Sequence, residues 1–225
     1  MKIEKIQKWA FVIAIAACAY QVWTTLGIFL ETDAAASEYS EEAIDKLIPS
    51  LDSADVGTMS VTATLLAVYV IYAITTFSLY RKASRDIHDF ELMIEKSTKS
   101  AVWSWFIPIG FLFLPRRRLK ELETILVANQ QSGFTSSFKS GIKSTRDCWW
   151  FGFIGYLVIS RAKNPILADI AEPDDWSGYL SSINSYALVI ALASGSLIFS
   201  YVFGMRYFKE LFRMEELLVS KQNVE

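Results

Sequence analysis

The single histidine of the chain, His88, has the side chain that could most readily bind a metal ion or transfer a proton near neutral pH. It lies between Asp86 and Asp89 in the segment SRDIHDFELMIEK. A metal site needs further ligands at helical spacing, and the sequence contains no second histidine. We therefore expect His88 to be a surface residue on an amphipathic helix. The apolar residues at helical spacing in this segment are Ile87, Phe90, Met93 and Ile94.

Carboxylates are concentrated in residues 31–58, which carry eight acids and one base, Lys46. Carboxylate oxygens suit Ca²⁺, so a cation site is one hypothesis for this segment. The segment lacks the fixed Asp and Asn spacing and the glycine turn of a dedicated calcium loop. The sequence SEEAIDKLIPSL favours a short helix with solvated carboxylates, and its inward residues are predicted to be Ile44, Leu47 and Ile48.

Patterns typical of catalytic sites are missing from the rest of the sequence. It contains no neighbouring Ser, His and Asp, no glutamate-rich metal motif and no His-x-x-x-His spacing. Cys18 and Cys148 have no Cys or His partner at ligand spacing. The sequence IAAC at 15–18 faintly resembles a lipoprotein cleavage site, but the apolar run continues past it, which favours an uncleaved anchor. We predict no catalytic residue, no cofactor and no metal ion.

The elements that must position any site are apolar helices. The chain is 52% hydrophobic with a mean hydropathy of +0.29, and residues 9–30, 59–80 and 185–205 carry no charge. Each run is long enough, at about 1.5 Å per residue, to cross a hydrocarbon core of roughly 30 Å. The predicted fold is therefore an all-α integral membrane bundle within a single domain, 1–225. It also contains a proline-bounded interfacial or re-entrant segment and a cytoplasmic amphipathic helix.

A fourth span is predicted at 148–168, although only its first part is uniformly apolar. Arg161 and Lys163 fall in its last third, where long basic side chains can extend to the interface. Asp169 or Glu172 is a candidate partner for these cations. We expect the two cations to lie at the outer end of the span and not at the centre of the membrane.

Charge is sorted along the chain, although its net value is only −2. The acidic segments 31–58 and 169–184 alternate with the segment 81–147, which carries twelve Lys or Arg against seven acids. Cytoplasmic flanks of membrane spans retain Lys and Arg. This order predicts four spans, external acidic loops, a cytoplasmic region at 81–147 and both termini in the cytoplasm.

A short segment at 101–115 and the helix after it are predicted to lie at the cytoplasmic membrane surface. The segment is too short to span a membrane, and Pro108 interrupts its helix. Leu119, Leu122, Ile125 and Leu126 then share one helical face. Cations here could attract anionic headgroups or serve only as topology signals, and both readings stay open. The residues predicted to contact lipid are Trp103, Trp105, Pro108, Pro115, Arg116, Arg117, Arg118 and Lys120.

Small residues recur at spacings of four in the last apolar run, which allows helices to approach closely. We expect packing within one chain, with a dimer face as the second reading. The residues concerned are Ala191, Gly195, Ser196, Ser200 and Gly204. A pore lined by polar residues is a further hypothesis, and its candidates are Gln21, Thr24, Thr62, Thr64, Ser194 and Ser196.

The sequence WSWFIPIGFLFLPRRRLKEL at 103–122 resembles the signature of a bacterial membrane family catalogued as domain of unknown function 4328. LYRKASRD at 79–86 and the Trp149-Trp150 pair are similar to further segments of that family. Phe111 stands where the family usually has Asn, and Glu123 where it usually has Trp. The resemblance implies four helices in a bacterial inner membrane and implies no known activity.

These features together predict a non-enzymatic scaffold, sensor or effector that works through its cytoplasmic face. The alternative is a subunit of a small oligomeric channel or transporter, and a lipid-handling or intramembrane enzyme ranks last because catalytic groups are missing. Expected partners are the lipid bilayer, anionic headgroups, and a second copy or another membrane protein. No nucleic-acid partner is expected.

Overall fold

The computed structural model describes residues 3–37, 41–87, 98–107, 113–129, 136–166 and 176–222. All regular structure in these residues is helical, which confirms the predicted all-α class for the described part of the chain. A short helical stretch also covers 163–166. The six longer helices are α1 (Ile3–Ser37), α2 (Glu41–Asp86), α3 (Thr98–Trp103), α4 (Leu114–Ala128), α5 (Ser136–Arg161) and α6 (Trp176–Gln222).

Three helices are long and apolar enough to cross a membrane. They cover Ile3–Thr32, Leu47–Asp86 and Ser177–Leu217, and they contain the three charge-free runs. Among the described residues α5 does not meet the same criterion of length and composition. It begins at Ser136 and ends at Arg161, before the predicted end of the fourth span. The four-span arrangement therefore stays a prediction.

The helices extend well beyond their apolar runs. Most of the predicted loop at 31–58 is helical, because α1 continues to Ser37 and α2 begins at Glu41. The start of α2 is rich in residues with good helix propensity, and acids at a helix N-terminus complement the helix dipole. Pro49 is accommodated inside this helix, and its carbonyl accepts a hydrogen bond from Ser53 Oγ at 2.8 Å.

The prediction that both Leu47 and Ile48 face inward is wrong for Ile48. Leu47 is buried at 2% exposure, whereas Ile48 is 49% exposed. Consecutive residues of an α-helix differ in direction by about 100°, so the packing of Leu47 turns its neighbour outward. The side chain of Ile44 lies outside the described part of the chain.

The chain divides into two compact units. Unit 1 comprises Met1–Phe11, Leu66–Trp150 and Val202–Glu225, and unit 2 comprises Val12–Leu65 and Phe151–Tyr201. Helices α1, α2, α5 and α6 each contribute residues to both units. The prediction of a single membrane domain over 1–225 stays a prediction.

The core of unit 2 combines apolar packing with close helix approaches. Its buried cluster consists of Ile28, Leu47, Ala54, Leu180, Ile183 and Ala187. Thr32 donates a hydrogen bond to Asn184 Oδ1 beside this cluster. Gly57 allows α2 to approach α1, because a Cβ at this position would lie 2.5 Å from Gln21 Oε1.

Only one of the two predicted small-residue registers of α6 packs in unit 2. Ser196 Oγ donates to the carbonyl of Gly152 at 2.8 Å, and a Cβ on Gly152 would lie 2.9 Å from the backbone nitrogen of Ser200. Gly195 instead is exposed, and a Cβ there would meet no atom within 4 Å. Ala191, on the same register, is half-buried. Residues 195 and 196 point in different directions on a helix, so both cannot face α5.

Candidate functional site

Aromatic side chains form the centre of unit 1. The Tyr72 ring stacks on Trp105 and on Phe208, with ring centroids 5.2 Å apart in both pairs. Trp149 Nε1 donates to Tyr72 Oη at 2.9 Å. Trp105 Nε1 donates to Thr76 Oγ1 at 3.2 Å. These bonds satisfy the indole N–H groups, which is what allows such large amphipathic rings to be buried.

Trp105 therefore does not have the lipid contact that was predicted for it. Its side chain is 2% exposed, and its backbone carbonyl accepts a hydrogen bond from Tyr69 Oη at 2.6 Å. Trp103, two residues earlier, is 64% exposed and available to solvent or lipid. Burial of Trp105 is accompanied by the hydrogen bond from its N–H to Thr76.

Gly204 makes room for this aromatic centre. A Cβ at this position would lie 2.8 Å from Tyr72 Oη and 2.9 Å from Trp149 Cδ1. The small residue thus accommodates two aromatic side chains within one chain. Gly204 belongs to the register of Ser196 and Ser200, eight and four residues earlier on α6.

Helix α4 packs within unit 1 through the apolar face that the sequence predicts. Pro115 falls in its first turn, where its missing N–H costs little. Leu119, Leu122, Ile125 and Leu126 are all buried. Pro115 is buried as well, so it is not the lipid contact that the sequence predicts. Pro108 lies outside the described residues.

Arg118 was predicted to contact headgroups, and the structure places it inside unit 1. Its side chain is 3% exposed, and Nη1 donates to Glu121 Oε2 at 2.9 Å. Its backbone carbonyl accepts a hydrogen bond from Tyr80 Oη at 2.7 Å. Residue 118 lies one turn before Leu122 on the buried face, so its guanidinium needs an internal partner.

Ion pairs join α4 to α5, and a tyrosine hydroxyl joins α4 to α6. Arg146 Nη1 lies 2.7 Å from Glu123 Oε2, and the two side chains are 3% and 12% exposed. Arg116 Nη2 lies 2.7 Å from Asp147 Oδ1. Tyr207 Oη of α6 lies 3.3 Å from Glu123 Oε2. We call Arg116, Glu123, Arg146, Asp147 and Tyr207 the α4 network.

The α4 network holds charges in place and does not resemble a proton-transfer site. Burial raises the pKa of the Glu123 carboxyl, although the Arg146 charge opposes this effect. Burial would also raise the pKa of the Asp147 carboxyl, but the hydrogen bond from Arg116 and the Arg146 charge hold it below its usual range. Arg146 stays protonated because Glu123 offsets the cost of its burial.

The sequence interpretation did not identify the α4 network. The sequence predicts that Glu123 lies on the polar side of its helix and departs from the family pattern, and that Arg146 and Asp147 belong to the charged cytoplasmic region. The available signal was their position, because Glu123 follows buried Leu122 and the Arg146-Asp147 pair directly precedes an apolar run. Charges next to apolar positions of a helix are candidates for internal pairing.

The outward side of α4 borders a basic cavity of about 340 Å³, which we call the α4 cavity. Arg117 and Lys120 are exposed, and the Arg116 side chain is 38% exposed. Among the described residues its lining carries three cations and no carboxylate, so the cavity can attract an anion. The lining residues are Phe113, Leu114, Arg116, Arg117, Lys120 and Trp150.

Unit 2 contains a smaller polar cavity of about 50 Å³, the Gln21 cavity. Of the predicted pore residues, Gln21, Thr62 and Ser194 line it. Gln21 Nε2 donates to the carbonyl of Ala54 at 3.1 Å and to Thr58 Oγ1 at 3.2 Å. The other three candidates do not line this cavity, and their hydroxyls bond to backbone carbonyls: Thr24, Thr64 and Ser196.

The remaining sequence candidates do not form a site in the described residues. Within these residues no group of three or more His, Cys, Asp or Glu could hold a metal ion. His88, Asp169 and Glu172 lie outside them. Arg161 is exposed at the end of α5, and Lys163 lines the Gln21 cavity. Comparison of the chain with family models, curated proteins and solved structures gives no match.

Proposed function

We propose that the chain is a non-enzymatic integral membrane protein, a scaffold, sensor or effector that acts through a basic cytoplasmic face. Support comes from the three helices that are long enough to span a membrane and from the α4 network. The network fixes α4 so that Arg117 and Lys120 stay exposed at the α4 cavity. A fixed basic surface beside membrane spans suits binding of anionic headgroups or of an acidic partner segment.

The observation that carries the membrane topology in this proposal is an ion pair between Lys82 and Glu215. Their charged atoms lie 2.8 Å apart, and the Glu215 side chain is 4% exposed. Lys82 follows the apolar run 59–80, and Glu215 follows the run 185–205. If both runs span a membrane, this contact favours one further crossing of the chain between them. Helix α5 is the described helix available for that crossing, which supports four spans.

Charge gives the direction of this arrangement. Unit 1 contains the basic segments 81–147 and 206–213 together with the lysines of the N-terminus. Under the positive-inside rule we propose that these basic segments lie on the cytoplasmic side of a bacterial inner membrane, with both termini inside. Membership of the family catalogued as domain of unknown function 4328 is part of the same proposal and rests on the residue resemblance at 103–122.

Site-specific photo-crosslinking in intact cells tests the role of α4. A photoreactive residue replaces Lys120 in the α4 cavity, and a matched control replaces Lys143, an exposed lysine of α5 outside that cavity. We expect a discrete adduct at position 120 that is missing at 143 and that is lost when Arg146→Met releases α4. Identical adducts at both positions, or none at 120, would contradict an effector role for α4.

The Gln21 cavity favours a second candidate, a subunit of an oligomeric channel or transporter. Part of its polar lining, including Gln21, Thr62 and Ser194, lies on helices that could span a membrane, and its volume of about 50 Å³ has room for only a few water molecules. A path for solutes would require several chains. Ion or solute flux in proteoliposomes that is changed by Gln21→Leu would support this candidate. The scaffold proposal predicts no flux above that of empty vesicles.

A further inference from the structure

A second basic cavity lies between the beginning of α1 and the later part of α6. Its volume is about 460 Å³, within the usual range of small-molecule sites. It lies entirely in unit 1 and shares no lining residue with the α4 cavity. We call it the Gln7 cavity, and its lining residues are Glu4, Lys5, Gln7, Lys8, Phe11, Met205, Arg206 and Lys209.

Charge in the Gln7 cavity is strongly one-sided. Four cations line it against one acid, Glu4. Lys5 and Lys8 come from one helix, and Arg206 and Lys209 from the other, with a spacing of three residues in both cases. All four are exposed, so their charged groups can converge on a ligand without a change of fold. Such a concentration of like charge raises the local concentration of anions.

A buried hydrogen-bond donor points to the same ligand chemistry. Gln7 is 3% exposed, and its Nε2 has no hydrogen-bond partner among the residues that the structure describes. A buried amide N–H without an acceptor is unfavourable, and few such groups persist in native proteins without a reason. A cation cannot satisfy this donor, whereas an anionic oxygen satisfies it and the surrounding lysines together.

The position of the cavity indicates where such an oxygen would come from. Phe11 and Met205 supply apolar lining, and Phe11 is 1% exposed. Trp9 is 63% exposed at the start of the charge-free run 9–30. Exposed tryptophans at the ends of apolar runs are typical of the membrane–water interface. The cavity therefore offers cations and a donor at one end and apolar groups at the other, which matches an amphiphile.

We propose that the Gln7 cavity binds the headgroup of an anionic phospholipid, with Gln7 Nε2 donating to a phosphate oxygen. Lys5, Lys8, Arg206 and Lys209 surround the phosphate, and the lipid chains leave past Phe11 and Met205. This proposal rests on the proposed membrane function only in requiring that the start of α1 lies at the bilayer surface. It does not depend on α4 having a partner.

Native mass spectrometry of the full chain, released from nanodiscs of phosphatidylcholine with a minor fraction of phosphatidylglycerol, tests this site. The wild type should retain one phosphatidylglycerol in preference to phosphatidylcholine. Gln7→Leu should lower its retention about tenfold, since a hydrogen bond to a charged group is lost. Lys209→Gln should lower it about fivefold, since one basic contact is lost. Lys143→Gln, a change at an exposed lysine outside both cavities, is the matched control and should leave retention unchanged.

Two further measurements keep the outcome decisive. Thermal melting in detergent shows whether each variant is folded, and Gln7→Glu retains the side-chain shape while placing a negative charge against the phosphate, so it should abolish retention. Unchanged lipid retention in folded Gln7→Glu and Lys209→Gln would overturn the proposal. Displacement of the lipid by inorganic phosphate would also overturn it, in favour of a soluble phosphate ligand. Crosslinking at position 120 is unaffected by either result, so the two proposals can fail separately.

Discussion

At the scale of single residues, burial separates cations that the sequence treats alike. Three consecutive arginines begin α4, yet Arg117 is exposed, Arg116 pairs with Asp147, and Arg118 is buried. The sequence predicts where such residues occur but not which of them finds an internal carboxylate. Arg146 and Glu123 form an ion pair across 23 positions of the chain, and no periodic pattern connects positions so far apart.

The buried Arg146–Glu123 pair should matter for stability, whereas an exposed pair should not. Arg146→Met leaves Glu123 buried without its partner and should lower the free energy of unfolding by about 3–5 kcal/mol. Arg213→Met removes an exposed pair to Glu210 at 3.6 Å and should cost about 0.5 kcal/mol or less. Thermal or denaturant unfolding in detergent compares the two. Equal effects would show that the α4 network adds little stability. The double change of Arg146→Met with Glu123→Leu should recover most of the loss.

Asp147 should make the stability of unit 1 sensitive to acid. Its pKa lies below the usual range when folded, because of Arg116 and Arg146. The folded state therefore binds this proton less readily than the unfolded state, so the contribution is complete above about pH 4 and is lost as the pH falls further. Melting temperatures between neutral pH and pH about 3 should fall less steeply for Asp147→Asn than for the wild type. The raised pKa of Glu123 has the opposite effect on stability, but Glu123 is present in both proteins. Parallel melting curves would therefore indicate that Asp147 has no such role.

At the scale of elements, close helix packing depends on which small residue faces a neighbour. Two glycines of α6 have opposite environments. A Cβ at Gly204 would meet the side chains of Tyr72 and Trp149, whereas one at Gly195 would meet no atom within 4 Å. A repeat of small residues predicts that a packing face exists, but the partner helix selects the register.

Alanine at these two positions should have opposite effects. Gly204→Ala forces the aromatic centre to shift and should destabilise the protein by about 1–3 kcal/mol. Gly195→Ala should be neutral or stabilising by up to about 1 kcal/mol, since alanine favours helix over glycine. Both changes add one methyl group to the same helix, so the comparison isolates packing. Unfolding in detergent measures both, and a destabilising Gly195→Ala would suggest that Gly195 packs against a second copy.

At the scale of the whole molecule, the apolar pattern predicted the three helices that are long and apolar enough to cross a membrane. Charge-free runs of this length have few stable alternatives to a helix, and the buried face of α4 followed from its spacing. The sequence predicts only a short helix within the acidic segment, whereas α1 continues to Ser37 and α2 begins at Glu41, because helix formers in a polar segment do not reveal continuity with the neighbouring spans. The burial of Trp105 was missed because it depends on a hydrogen bond to Thr76, 29 residues earlier in the chain.

Thiol accessibility in intact cells directly tests whether the chain has four spans with its basic segments in the cytoplasm. In a variant with Cys18→Ala and Cys148→Ser, single cysteines replace three exposed residues, Asp52, Thr124 and Arg213. A membrane-impermeant maleimide should label position 52 in intact cells, and positions 124 and 213 only after permeabilisation. This is the result for four spans with the basic segments 81–147 and 206–213 in the cytoplasm. Labelling of position 213 in intact cells while 124 stays protected would mean three spans, and labelling of 124 would place the basic face outside; either result contradicts the account.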